Sequence, residues 1–83
     1  MSVTRPAINP GGASARELIK TNSAAHTACE IAIATLEKAS PQVGDYYLKG
    51  MLQYDFALRE HKDRLERLRS VRDELKTLMD YVR

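Results

Sequence analysis

Between Met51 and Val82 large apolar residues recur at alternating spacings of three and four, and this repeat constrains the chain more than anything else in it. With Met51 as heptad position a, the a and d positions are Met51, Tyr54, Leu58, His61, Leu65, Leu68, Arg72, Leu75, Met79 and Val82. An α-helix turns about 100° per residue, so a 3.5-residue repeat gathers these side chains into one continuous seam, the pattern of a coiled coil. His61 and Arg72 are its only interruptions, and Val71 and Leu78 widen the stripe at position g. The outer positions carry Arg59, Glu60, Asp63, Arg64, Glu66, Arg67 and Asp73. Glu60 with Arg64, and Asp63 with Arg67, are acid-first pairs four apart, each worth about 0.2–0.5 kcal/mol to an isolated helix. From Tyr46 to Arg83 only Gly50 weakens a helix, by about 1 kcal/mol. The pattern predicts a second helix over 46–83, roughly 57 Å long at 1.5 Å per residue.

A first helix is predicted over 14–39. Ser14-Ala15-Arg16-Glu17 has the spacing of a capping box, and Leu18, Ala25, Cys29, Ala32, Leu36 and Ala39 mark one apolar face. Thr21-Asn22-Ser23 favours a break or a second start, because these side chains compete for backbone hydrogen bonds. Ala24, Ala25, Ala28, Ala32 and Ala34 make the helix surface shallow, so larger residues from elsewhere must fill the space against it. Ser40-Pro41-Gln42-Val43-Gly44-Asp45 forms a loop over 40–45, with Asp45, or Ser40 with Pro41, as the cap of the next helix. Residues 1–12, with Pro6, Pro10, Gly11 and Gly12, read as a flexible N-terminal arm. The fold class predicted is all-α: an antiparallel helical hairpin with a long, coiled-coil-like second helix, one domain over 13–83.

Composition narrows the function classes. At 83 residues the chain is one domain near the size where a single core becomes marginal. One Phe, four Tyr and no Trp leave the core to small aliphatic residues. No apolar run approaches the roughly 20 residues that span a bilayer, and Met1–Pro6 lacks the apolar stretch of a secretory signal, so a cytoplasmic location is expected. Cys29 has no second cysteine to pair with, and the net charge of +2 does not by itself imply a polyanionic partner.

Candidate chemistry is sparse. His26, Cys29 and Glu30 share part of one helix surface, but no oxyanion-hole loop or orienting group accompanies them. Counting from the turn places His61 opposite about Ala24, away from Cys29, so no metal site, cofactor or catalytic residue is assigned. The bland roles fit better: Cys29 as a small buried hydrophobe, His61 as a polar seam residue setting register. Arg59 to Arg72 holds six basic and three acidic residues, which makes Arg64, Arg67 and Arg69 candidate phosphate contacts and weak nucleic-acid binding an alternative. Interleaved Glu60, Asp63 and Glu66 favour a solvated, salt-bridged face instead.

Two features point to other protein chains. The seam runs to Val82, past the reach expected of the first helix, so Leu65, Leu68, Val71, Leu75, Leu78, Met79 and Val82 are candidate interface residues. Leu48, Leu52 and Phe56 form a second stripe on another side of the helix, to be covered either by the N-terminal arm or by a partner. The function expected is a non-enzymatic module that self-associates through its long helix and binds, inhibits or scaffolds an unidentified protein. In outline, with Pro41 in the loop and Leu52-Gln53-Tyr54-Asp55 early in the second helix, the chain resembles the subunits of type III secretion needles. That resemblance implies a structural subunit of a filament; the alternative function expected is therefore a subunit of a larger assembly, such a filament or a virion component, using the Val3–Pro10 arm as a strap. The dense charge between Arg59 and Lys76 departs from that family's pattern, and small phage-encoded inhibitors and secretion co-chaperones share the outline.

Overall fold

A computed structural model describes residues 3–7 and 13–82 of the chain. Helix α1 spans Ala13–Lys38, a short 3₁₀ turn spans Val43–Tyr46, and helix α2 spans Met51–Asp80. No strand occurs among the described residues, and α1 packs along α2 as a helical hairpin.

Helix α1 runs unbroken through Thr21-Asn22-Ser23. The polar side chains turn back onto the helix: Thr21 Oγ1 donates to the Glu17 carbonyl at 3.0 Å and Asn22 Nδ2 to the Leu18 carbonyl at 2.9 Å. Satisfying the preceding turn in this way removes their incentive to break the helix. Ser14 lies inside the first turn rather than ahead of it.

Helix α2 begins at Met51, later than the expected Tyr46, and the connection grows from 40–45 to 39–50. Gly50 is the reason. Its backbone sits at φ 91°, ψ 168°, a region essentially closed to residues with a Cβ, so the helix cannot pass through it. The Tyr46 carbonyl accepts both the Lys49 and Gly50 N–H groups, at 2.9 and 3.0 Å, which closes the turn ahead of the helix. Asp45 belongs to the 3₁₀ turn, where its carboxylate accepts the Gln42 N–H at 3.2 Å, and so does not cap α2.

The inward face of α2 follows the heptad seam. Leu65, His61 and Met79 are buried, and Tyr54, Leu58, Leu68, Arg72, Leu75 and Val82 are half-buried. Ala57, at position g, is buried beside them, whereas Met51 is exposed. On α1 the inward residues are Ala15 and Ile33, buried, with Leu18, Ile19, Asn22, His26, Cys29, Ala32 and Leu36 half-buried. Ala25 and Ala39, expected on this face, are exposed. The face is therefore rotated slightly, because Ile19 and Ile33 gain more from burial than alanine does.

The molecule is one helix thick, with extents of 59 × 22 × 11 Å. Each helix buries a single stripe, and no side chain falls below 2% exposure among the described residues. Its radius of gyration is 18.0 Å, against about 12 Å expected for a compact chain of this length. Its accessible surface is 6334 Å², against about 5,000 Å² for a compact monomer of this mass. The excess surface makes any further cover energetically valuable.

Candidate interaction surface

The register of the hairpin decides which apolar residues are left over. Across the two helices, Arg72 reaches Glu30 with an Nη1 to Oε1 distance of 3.4 Å. Asp73 on the same helix accepts the Arg72 Nε–H at 3.0 Å. That hydrogen bond raises the Arg72 pKa above its ordinary value against the desolvation that lowers it, and the charges of Asp73 and Glu30 add to the rise. With Glu30 opposite Arg72, equal rise along antiparallel helices puts Lys38 opposite about residue 64. Leu36 lining one groove with Arg64, Arg67, Leu68 and Val71 agrees with this offset.

Two expectations fail on this register. His61 lies beyond the C-terminal end of α1, beside the connection, rather than opposite Ala24. More importantly, α1 does not fall short at the far end of α2. Met79 is 4% exposed and Val82 is half-buried, so the hairpin itself covers the last turns. Leu65 is buried at 8%, and Leu68, Leu75 and Leu78 are half-buried; these candidate interface residues are already packed within the chain. Only Val71 of that group, 46% exposed, still faces outward.

Apart from Ile31 and Val71 on the stem and Tyr81 near its far end, the exposed large apolar residues lie at the opposite end. Where α2 extends past α1, Leu48 is 94% exposed, Tyr47 82%, Leu52 64%, and Val43, Met51 and Phe56 are exposed as well. Val43, Tyr47 and Met51 share a hollow of about 260 Å³ with Tyr46, Gly50 and Tyr54. The Tyr46 and Tyr54 rings, 6.3 Å apart and tilted by 51°, both line it and tie the turn to α2. Leu52 and Phe56 stand on the side of α2 away from the seam, about half a turn from Leu65. The Arg59 guanidinium lies 5.8 Å from the Phe56 ring centroid. Between Ala39 and Phe56 the only charged residues are Asp45, Lys49 and Asp55.

The N-terminal arm does not cover this end in its described part. Val3 lies in a groove on the other half of α2 with Glu66, Arg69, Ser70, Asp73, Glu74 and Thr77. The Arg5 guanidinium stacks 5.3 Å from the Tyr81 ring centroid. The remainder of the 1–12 arm, Pro10, Gly11 and Gly12 included, lies outside the described residues.

The candidate phosphate contacts are not gathered into one patch. Arg64 and Arg67 line the groove beside Leu36, while Arg69 lines the groove of Val3, among Glu66, Asp73 and Glu74. Arg67 pairs with Asp63 at 3.0 Å, as the spacing predicts, but no Glu60–Arg64 pair forms among the described residues. Glu30 is engaged by Arg72, Cys29 and His26 are half-buried, and no cluster of three metal-ligating side chains occurs among the described residues. Among the described residues no helix is long and apolar enough to cross a membrane. No protein-family model, curated protein or solved structure matches the chain.

Proposed function

We propose that the chain is a non-enzymatic protein-interaction module that presents the turn end of its hairpin as the docking surface. One observation carries the reading: six large apolar residues, Val43, Tyr47, Leu48, Met51, Leu52 and Phe56, stand exposed at one end. The stem seam is meanwhile occupied within the chain. Monomeric proteins seldom leave a contiguous apolar patch above roughly 300–600 Å², because burying it is favourable at about 25 cal/mol per Å². The stem acts as a stiff spacer, with its charged outer face keeping α2 hydrated. A nucleic-acid role has less support, since Arg69 is separated from Arg64 and Arg67 and set among carboxylates.

The test compares equal substitutions at two places. Leu48→Asp changes the exposed end, and Ile31→Asp changes an exposed stem position, 63% accessible; neither removes core packing. Immobilised wild-type chain and Ile31→Asp are expected to retain the same binding proteins, and Leu48→Asp to lose them. Equal retention by all three would contradict the proposed surface.

A further inference from the structure

Resting on that reading, we propose that the occupant of the turn end is a second copy of the same chain, joined end to end about a two-fold axis. The area is adequate. Aromatic side chains bury roughly 150–250 Å² each and aliphatic ones somewhat less, so the six exposed residues, at 43–94% accessibility, offer on the order of 700 Å² around the tip. A standard interface buries about 800 Å² per partner, so a mate that wraps the tip, covering both the Val43, Tyr47 and Met51 hollow and the Leu52 and Phe56 side, gains most of a half-interface.

The charges at the tip are self-complementary. Lys49 and Asp55 flank the Leu48–Leu52 surface on either side in sequence, and neither makes an ion pair among the described residues. In a two-fold contact every pair occurs twice, residue i of one copy meeting j of the other and the reverse. Lys49 of each copy then meets Asp55 of its mate, which satisfies two cations and two anions at the rim of the apolar centre. A lipid surface suits the tip less, since Asp45 and Asp55 balance Lys49 and the Arg59 that lies against Phe56, leaving no net positive charge to draw the tip to anionic headgroups. The resulting assembly is a rod of nearly twice the 59 Å length of one chain, with Tyr81 and the stacked Arg5 of each copy toward its far ends.

The experiment is sedimentation equilibrium on the purified full chain over a range of micromolar concentrations, with far-ultraviolet circular dichroism to confirm that each variant keeps its helices. Wild type and Ile31→Asp are expected to dimerise, and Leu48→Asp to weaken the dimer by tenfold or more. Lys49→Asp and Asp55→Lys alone each weaken it severalfold, whereas Lys49→Asp with Asp55→Lys restores it, because both pairs are reversed together. A wild-type monomer at about 100 μM would overturn the inference, this being a hundredfold above a micromolar dissociation constant. So would a dimer indifferent to Leu48→Asp, or a double reversal weaker than either single change. A monomeric wild type that sediments with phosphatidylcholine–phosphatidylserine vesicles would assign the tip to a membrane surface and overturn it as well. A monomer that still retains proteins in a Leu48-dependent way defeats the second copy alone. Retention that ignores Leu48 defeats the docking surface itself.

Discussion

Leu65→Ala is the substitution that most directly measures how a core one helix thick holds the hairpin. Leu65 is 8% exposed at the centre of the seam, and no residue there is fully buried. Truncation removes three carbons, about 2.4 kcal/mol at 0.8 kcal/mol per buried CH₂. A residual cavity adds to this, but a single layer open on both sides collapses more readily than a closed core. The expected cost is therefore about 2.5–3 kcal/mol, near the low end for Leu→Ala. A chain of 83 residues has a stability of about 4–12 kcal/mol in all. The melting temperature should fall by about 10–20 °C, read by circular dichroism and checked by urea titration at the same chain concentration. Ile31→Ala, on the exposed face of α1, should change stability by less than about 0.5 kcal/mol. A Leu65→Ala protein that melts within about 1 kcal/mol of wild type, or an Ile31→Ala protein that loses as much, would refute the seam as the source of stability.

The glycine before α2 and the histidine in the seam give two more expectations. Gly50→Ala should cost about 1–3 kcal/mol from backbone strain alone, since nothing lies within 4 Å of the added methyl; a neutral effect in urea titration would mean the turn relaxes freely. Gly44, equally open and without a positive φ, should accept alanine with no loss. His61 is 5% exposed among apolar seam residues and leaves no orphaned buried nitrogen, so His61→Leu should leave stability unchanged or raise it by about 1 kcal/mol. A loss of more than about 1 kcal/mol on thermal melting would show that the imidazole makes a contact worth keeping.

Much of the fold is legible in the sequence. The long helix declares itself because Leu58, Leu65, Leu68, Leu75 and Met79 are large and regularly spaced, and only burial rewards that pattern. Helix α1 is harder to read. Its alanines fit either side of a helix, and the polar Asn22 and His26 disguise an inward stripe that Ile19 and Ile33 decide. The register is hidden. A loop of 40–45 implies a hairpin open at its C-terminal end, whereas the Glu30–Arg72 pair sets a register in which α2 overhangs α1 at the turn, by more than the longer 39–50 connection ending at Gly50 supplies. Positive φ at a glycine has no signature in a single sequence. The Leu48, Leu52 and Phe56 stripe is visible beforehand as apolar residues opposite the seam. Val43, Tyr47 and the exposure of Met51 are not, although large apolar side chains in a turn, where polar residues are usual, were the signal that could have found them.

Whether the turn end meets another copy of the chain can be read from amide hydrogen exchange on the wild-type chain at low and at high concentration. Protection of residues 43–56 should rise with concentration while residues 65–79 of the stem stay unchanged. Protection that is independent of concentration, or that rises along the stem and not at the turn, would contradict that contact.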